Sequence, residues 1–214
     1  MPSHADSSRD KRARILEAAY RVCERRGVDG ARMEEVATLA RVSKGTLYRF
    51  FESKEHLLLA TIIDSYEQSL SLFDAPVESD AEPRKWLDLL LEGMTKILEA
   101  VSPRMNVHYQ AWGLVAKVPV LQDRLYGFLR EFHSQRAESV ENAVREGQSR
   151  GVFRPDVDAE AFADGFQALL SGFLYRATFD PARARPEQLR ICLGAMVRDA
   201  LLLEDPPDGD RADG

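Results

Sequence analysis

The 214-residue chain is 44% hydrophobic and 30% charged, which is ordinary for a soluble globular protein of one or two domains. It contains no run of about 18 uncharged apolar residues, so no membrane span is expected. The N-terminus lacks the apolar stretch of a secretory signal, so a cytoplasmic protein is expected. Cys23 and Cys192 are far apart in sequence, which favours two buried apolar residues over a disulfide or a metal pair.

The formal net charge of −6 is unevenly distributed. Residues 1–56 hold 12 Lys/Arg against 9 Asp/Glu, whereas residues 57–214 hold 17 against 26. A basic head on an acidic body is compatible with nucleic-acid binding by the head, but chance could produce a difference of this size. Charge alone therefore decides no function.

Helical spacing of apolar residues predicts the first four elements in chain order. Residues 1–8 are small and polar and are expected to be disordered. A helix then runs from about residue 9 to Gly27, which can adopt a left-handed cap. A second helix fits residues 32–40. Ser43 can cap a third helix ending at residue 50 or 51, and Ser53 can cap a fourth that continues to about residue 73.

The rest of the chain is also predicted to be helical. Residues 74–83 have the composition of a loop, and helices follow at about 84–101, 105–116, 119–149, 158–179 and 186–203. Asp158 is the expected cap of the helix at 158–179. The tail at 204–214 is acidic, rich in Pro and Gly, and expected to be disordered. No repeat or strand signal appears, so the sequence predicts an all-α fold with a domain at 9–53, a helical body at 54–203 and a linking helix at 54–73.

The stretch RVSKGTLYRFFESKEHL at 41–57 has the pattern of a helix-turn-helix. The connection between helices two and three is short, which is typical of the motif whose second helix lies in the major groove. Gly45 costs roughly 1 kcal/mol in a helix interior, yet it lets the backbone approach another surface closely. Leu47, Phe50 and Phe51 are expected to pack inward. Thr46, Tyr48 and Arg49 are expected to point outward, towards phosphates or base edges.

Several stretches then make a family resemblance specific: ILEAA (15–19), ERRG (24–27), MEEVATLA (33–40), VSKGTLYRFF (42–51) and SKEHLL (53–58). The first 60 residues resemble the DNA-binding domain of the TetR family of bacterial transcriptional regulators (TetR/AcrR-like). The resemblance implies DNA contacts by Ser43, Lys44, Thr46, Tyr48, Arg49 and Lys54, with Tyr48 and Lys54 on phosphates. A helical hairpin that merely packs is the alternative.

Two positions depart from the family pattern. Arg41 stands at a turn position that is commonly glycine, so some backbone strain is expected there. Ala31 and Arg32 replace the hydroxyl residues often found at the start of the second helix, and Arg32 is a candidate for a phosphate contact instead. Arg49 stands where the family often has histidine, which leaves its role between base and phosphate open.

For the acidic body, the resemblance implies only a helical ligand-binding and dimerisation domain. Small residues on the helix at 158–179 would let a partner helix approach closely, and the last helix offers further apolar residues. The candidate dimer residues are Ala161, Gly165, Ala168, Gly172, Gly194, Met196, Val197 and Leu201. The alternative is that these residues belong to an intramolecular core.

A small-molecule site with apolar walls and a few polar points is expected among the helices of the body. Its candidate lining is Trp86, Leu90, Met94, Met105, His108, Tyr109, Trp112, Phe128, Phe132 and Phe166. Aromatic residues at helical spacing are as often plain core, and about half of these ten are expected to be so. His108 and Tyr109 are the polar contacts that the sequence favours.

No phosphate loop, nucleophile elbow, metal-spaced His/Cys set or paired-carboxylate motif appears, so neither catalysis nor a metal or other cofactor is expected. The sequence thus predicts a homodimeric repressor of palindromic operator DNA, released by a small, largely apolar ligand. A ligand-independent DNA-binding protein of the same fold is the main alternative, and an enzyme that kept the fold is a weaker one.

Overall fold

The structure is a computed structural model, and it describes residues 4–71, 83–180, 182 and 185–202. Over these residues the chain is helical, with no named β-strand. The helices are α1 (His4–Gly30), α2 (Met33–Ala40), α3 (Lys44–Phe50), α4 (Lys54–Ser71), α5 (Pro83–Val101), a 3₁₀ turn (Ser102–Arg104), α6 (Met105–Val115), α7 (Pro119–Ser149), α8 (Ala159–Ala177) and α9 (Pro186–Leu201). None of the described helices is long and apolar enough to cross a bilayer.

The predicted all-α fold is confirmed, and the structure adjusts several helix ends. Helix α1 begins at His4, so residues 4–8 are helical rather than disordered. Gly27 has a positive φ of 73° but an extended ψ of 160°, which makes a kink instead of the expected left-handed cap. Of the loop expected at 74–83, residues 74–82 lie outside the described residues, and Pro83 is instead the first residue of α5. The last two residues of the predicted linking helix and the tail at 204–214 also lie outside the described residues.

Side-chain caps explain where three helices begin. The Ser43 Oγ accepts a hydrogen bond from the Thr46 amide at 3.1 Å, and the Ser53 Oγ accepts one from the His56 amide at 3.1 Å. The Asp158 carboxylate accepts one from the Ala161 amide at 3.0 Å. Each cap satisfies an amide that the first helical turn leaves without a partner. The capping positions expected from sequence are therefore the ones used.

One hydrophobic cluster, here called the joint core, unites the first four helices with the upper part of the body. Apolar side chains of α1, α2 and α4 share it with residues of α6 and α7. Its body-side members are Val107, Ala111, Val115 and Leu125, and Trp112 and Tyr66 pack against it. Because a close-packed cluster transmits displacement of any one member, α1–α4 are mechanically continuous with α6 and α7.

A second cluster, the body core, is formed by α5, α7, α8 and α9. Its closure depends on the turn after α7, where the Phe153 ring is fully buried against Gly147. A Cβ at residue 147 would lie only 2.0 Å from that ring, so only glycine fits there. Cys192 corrects one expectation, because its side chain is exposed on α9 whereas Cys23 is buried as expected.

Candidate nucleic-acid interface and ligand region

The turn between α2 and α3 is built on a left-handed arginine. Arg41 has φ 56° and ψ 47°, and its amide donates to the Thr38 carbonyl at 3.1 Å while the Val42 amide donates to the Ala37 carbonyl at 3.0 Å. Paired bonds of this kind close a helix C-terminus. A non-glycine residue in this conformation costs roughly 1 kcal/mol. The strain expected at Arg41 is therefore present in the backbone.

The inner side of α3 holds the helix on the joint core. Leu47 is fully buried and Phe51 is nearly so, while Phe50 is half-buried. The Phe51 ring lies 6.3 Å from the Phe50 ring and meets the His56 ring edge-on at 6.0 Å. Apolar burial of this kind fixes the orientation of a seven-residue helix that could not be stable alone.

The opposite side of α3 presents polar side chains to solvent. Ser43, Lys44, Gly45, Tyr48 and Arg49 are exposed, and Thr46 is half-buried with its hydroxyl 2.9 Å from the Ser43 Oγ. Their exposed hydroxyl, ammonium and guanidinium groups give this side of α3 hydrogen-bonding groups suited to phosphates and base edges.

Glu34 is a member of this surface that the sequence reasoning missed. Its carboxylate pairs with the Lys44 ammonium at 2.5 Å, and this hydrogen bond lowers the pKa of Glu34 and raises that of Lys44. The Lys44 ammonium also lies 5.8 Å from the centre of the Tyr48 ring. An acidic residue in the first turn of α2 is an ordinary helix-stabilising feature, so the sequence carried no signal of the cross-helix pair.

Two further candidates flank α3. The Lys54 ammonium, at the start of α4, donates to the Asp29 carbonyl at 2.8 Å and so ties α4 to the end of α1. Arg32 is exposed at the N-cap position of α2 and makes no side-chain capping bond. Arg32 can therefore turn towards a ligand without breaking a cap, whereas Lys54 already has a structural partner.

In the body, the structure divides the ten candidate ligand residues into separate groups. Tyr66 of α4 stacks on His108 of α6 at 6.2 Å and meets the rings of Phe128 and Phe132 of α7 edge-on at 6.2 and 5.0 Å. We call Tyr66, His108, Trp112, Phe128 and Phe132 the aromatic cluster. Tyr66 was not a sequence candidate, although its position on the linking helix could have indicated it.

The remaining candidates lie elsewhere. Trp86, Leu90, Met94 and Phe166 are packed in the body core, so they serve as core. Met105 is buried with Ile97 and Val101, and Tyr109 packs against that group while its ring meets those of Trp112 and Tyr175 edge-on. About half of the ten were expected to be plain core, and four of them are buried in the body core.

His108 is the most unusual polar group of the body. Its side chain is 2% exposed, and neither ring nitrogen has a hydrogen-bond partner in the part of the chain that the structure describes. Burial, with a smaller contribution from the Arg104 charge, lowers its pKa to about 4. The indole Nε1 of Trp112 is likewise buried and unpartnered. Tyr66, which stacks on His108, has its pKa raised to about 12 by burial.

Polar contacts fasten α1 to the body beside this cluster. The Tyr20 hydroxyl donates to the Pro103 carbonyl at 3.2 Å, and the Arg104 guanidinium donates to the Glu17 carboxylate at 3.1 Å while lying 4.6 Å over the Tyr20 ring. The Gln110 side chain accepts from the Val28 amide at 3.4 Å, next to the Gly27 kink. These contacts connect the 3₁₀ turn before α6 to Glu17 and Tyr20, and the middle of α6 to Val28.

The candidate dimer residues fall into two groups. Ala161, Gly165, Ala168 and Gly172 are exposed on α8, and Met196 is exposed on α9. Gly194, Val197 and Leu201 are instead buried inside the subunit, because that side of α9 packs on α5 and a Cβ at Gly194 would contact Leu91 at 3.4 Å. These three residues are therefore intramolecular core. Large exposed apolar side chains lie near the exposed candidates: Leu169 and Tyr175 on α8, Phe179 just after α8, and Ile191 and Met196 on α9.

Comparison with known proteins identifies the family. Residues 15–61 match the family model described as bacterial regulatory proteins, tetR family. Residues 72–202 match the model described as BetI-type transcriptional repressor, C-terminal. The chain belongs to the TetR family. It is therefore a DNA-binding transcriptional regulator of the helix-turn-helix type and not an enzyme.

Two curated relatives are similar to this protein over most of its length. The regulator UidR of Escherichia coli K12 is 29% identical over 149 residues, covering 69% of this chain and 71% of its own. The regulator TtgR of Pseudomonas putida is 29% identical over 176 residues, covering 80% and 81%. The first family model ends at residue 61, inside α4, and the second begins at residue 72, just after Ser71, the last residue of α4.

Solved structures share the TetR fold at lower identity. A TetR regulator from Haloarcula marismortui superposes with a TM-score of 0.74 at 21% identity, covering 90% of this chain and 98% of its own. A transcriptional regulator from Saccharomonospora viridis, solved in complex with choline, gives a TM-score of 0.68 at 22% identity over 90% and 98%. At this identity the likeness establishes the fold alone.

Gly45 offers a test of whether the outer face of α3 is shaped for DNA. A Cβ at residue 45 meets nothing within 4 Å. Because alanine has a higher helix propensity than glycine, Gly45→Ala should raise the free energy of unfolding by up to about 1 kcal/mol. If DNA approaches this backbone, the same change weakens operator binding about tenfold. The control is Gly127→Ala on α7, which also has open space and should leave DNA affinity unchanged. Equal DNA affinity of Gly45→Ala and the wild type would contradict the prediction.

His108 predicts a pH dependence of stability. Its pKa is lower in the folded state (about 4) than in the unfolded state (6.5). The neutral imidazole's contribution to the free energy of unfolding is therefore complete above about pH 6.5 and is lost as the pH falls towards 4. Between pH 7.5 and 5 the wild type should lose about 2 kcal/mol more than His108→Phe, which cannot be protonated. His133, whose pKa is also lowered by burial, is present in both proteins. Urea denaturation at both pH values measures the difference, and parallel losses would refute it.

Proposed function

We propose that this regulator is a homodimeric, effector-responsive repressor that acts in the cytoplasm on palindromic operator DNA. The observation that carries the proposal is the double role of α4. Its residues belong to the joint core with α1–α3, and its Tyr66 is the centre of the aromatic cluster with α6 and α7. A molecule that rearranges the cluster must displace α4, and α4 starts directly beside the reading helix α3.

DNA reading is assigned to the outer face of α3 and its flanks. Tyr48 and Lys54 bind phosphates, Ser43 and the free amides of α3 bind a phosphate at the helix N-terminus, and Lys44, Thr46 and Arg49 reach further phosphates or base edges. Arg32 adds a phosphate contact from α2. Gly45 allows the close approach of the backbone. Glu34 holds Lys44 until DNA competes for its ammonium.

Operator DNA is released when the effector binds one arrangement of the two DNA-binding heads more tightly than the other. Effector bound at the aromatic cluster favours a displaced α4, and the two reading helices of the dimer no longer fit successive major grooves. Coupling of this kind is typically 1–3 kcal/mol, or about 5–150-fold in operator affinity. The choline complex of the Saccharomonospora neighbour supports the idea that this fold accommodates a small molecule. The 3₁₀ turn contacts Glu17 and Tyr20 of α1, and α6 contacts Val28. A movement of α6 would therefore also displace α1.

The first test addresses DNA binding. Fluorescence anisotropy with duplex DNA from the region upstream of the protein's own gene should detect a salt-dependent complex. Tyr48→Ala should weaken it by about 3–30-fold, because a phosphate contact and the surface around Lys44 are lost. Tyr126→Ala is the matched control, since Tyr126 on α7 is 46% exposed and Tyr48 is 40% exposed. Equal affinities for the two variants would contradict the assignment of α3 as the reading helix.

The dimer is assigned to the outer faces of α8 and α9. Small residues of α8 (Ala161, Gly165, Ala168 and Gly172) allow close helix contact, and exposed Leu169, Tyr175 and Met196 supply apolar area. Both helices bury their opposite faces in the body core, so the outer faces are rigidly presented. A two-fold dimer through these faces would pair two reading heads with the two half-sites of a palindrome.

The second test addresses this interface. Ile191 is 64% exposed on α9, and Ile191→Glu should raise the dimer dissociation constant by at least about tenfold by burying a charge. Sedimentation velocity measures the dissociation constant, and operator binding should weaken in parallel. Val120→Glu, at an equally exposed apolar position on α7, is the control and should leave the dimer intact. A dimer as stable in Ile191→Glu as in the control would exclude this interface.

A further inference from the structure

The aromatic cluster contains polar groups that the fold leaves without partners. His108 is 2% exposed, yet neither imidazole nitrogen is hydrogen-bonded, and the buried indole Nε1 of Trp112 has no acceptor. Nearly all buried polar atoms in proteins have a partner, and leaving one without costs about 1–3 kcal/mol. Three such atoms on two residues of one helix therefore point to a ligand with a polar group at this place.

The two side chains share one face of α6. Residues 108 and 112 are four apart, so their side chains are neighbours on the helix surface. The indole N–H can only donate, whereas a neutral imidazole offers one donor and one acceptor nitrogen. A hydroxyl oxygen placed between them can accept from the Trp112 indole and donate to the imidazole acceptor. One hydroxyl thus complements both residues, which an ether or an ammonium group does not.

The walls around these groups are aromatic. The Tyr66 ring stacks on His108, and the Phe128 and Phe132 rings, 6.0 Å apart, stand edge-on to Tyr66. Flat aromatic molecules pack on such rings in offset or edge-on geometry. The body of the ligand is therefore expected to be a planar ring system.

Cationic side chains lie beside the cluster. The Arg136 guanidinium is 5.3 Å from the centre of the Phe132 ring, in the place where a ligand cation would make a cation–π contact. The Arg104 charge acts on His108 from the start of α6 and contributes to its lowered pKa. A charged ligand would lose its hydration among these buried aromatic side chains, which favours an uncharged one.

We propose that the effector is an uncharged phenol-like molecule, with its hydroxyl between Trp112 and His108 and its ring against Tyr66, Phe128 and Phe132. The assignment rests on the proposed effector-responsive function and names the chemical class that this function would sense. It excludes quaternary ammonium compounds as effectors.

Three naphthalene probes of matched size test the class. 2-Naphthol carries the hydroxyl, 2-methoxynaphthalene keeps the oxygen acceptor but lacks the donor, and 2-naphthyltrimethylammonium carries a fixed positive charge. Isothermal titration calorimetry with the full-length protein should give the tightest binding for 2-naphthol. The methoxy compound should bind about 3–10-fold more weakly and the ammonium compound at least about tenfold more weakly. Ammonium binding as tight as that of 2-naphthol, or no binding of 2-naphthol at millimolar concentration, would overturn the inference.

Variants locate the hydroxyl. Trp112→Phe should weaken both 2-naphthol and 2-methoxynaphthalene, because it removes the donor that each oxygen uses. His108→Phe should weaken 2-naphthol alone, because only the hydroxyl donates to the imidazole. Trp86→Phe is the matched control, since Trp86 is a buried tryptophan of the body core and should leave both affinities unchanged. Equal effects of Trp86→Phe and Trp112→Phe would exclude this placement, and thermal denaturation verifies that each variant is folded.

Operator release, measured by anisotropy with the same probes, separates the two proposals. Binding of 2-naphthol without release would support the ligand class and refute effector-responsive repression. Release by the ammonium probe and not by 2-naphthol would support effector-responsive repression and refute the ligand class. Release by 2-naphthol that His108→Phe and Trp112→Phe weaken would support both.

Discussion

The joint core is the constraint on which the rest of the molecule depends. Residues of the DNA-binding head, among them Ile15, Val36 and Leu47, pack in one cluster with Val107 and Leu125 of the body. A head joined to its body only by a flexible linker could change its orientation independently of the body. Here the head and the body share one cluster, so α1 and α4 are packed directly against α6 and α7. The short reading helix α3 is held in place by the same packing.

Buried polar groups of His108 and Trp112 lie where the joint core meets the aromatic cluster. The joint core is closed by apolar burial on the side of α1–α3, whereas beside Tyr66 it meets buried nitrogens of His108 and Trp112 that lack partners. A fully satisfied apolar packing there would be more stable and would leave no free energy for a ligand to recover. In the proposed effector response, the cost of about 1–3 kcal/mol for such an unpaired atom would be comparable to a typical allosteric coupling.

The sequence predicted the helix order and the capping residues because these depend on local chemistry. Ser43, Ser53 and Asp158 each act on amides within three residues. It also predicted which side of α3 is buried, from spacing alone. It did not predict that Glu34 pairs with Lys44, that Tyr66 lies against His108, or that Val197 and Leu201 face inward. Each of these depends on how helices distant in sequence, or separated by a turn, are rotated about their axes, and periodicity gives the apolar face but not its partner.

Arg41 shows that the packing of the fold can hold a residue in a backbone conformation that the residue itself disfavours. An arginine in the left-handed region costs roughly 1 kcal/mol relative to the glycine that the turn would accept without strain. The turn nonetheless keeps its paired hydrogen bonds to Ala37 and Thr38, because the packing of Leu47 and Phe51 fixes the chain on either side. The Arg41 side chain is exposed, and the other residues that line the surface depressions around it belong to α1 and α2. Packing of the helices around the turn, and not the preference of the residue itself, therefore determines the backbone conformation at Arg41.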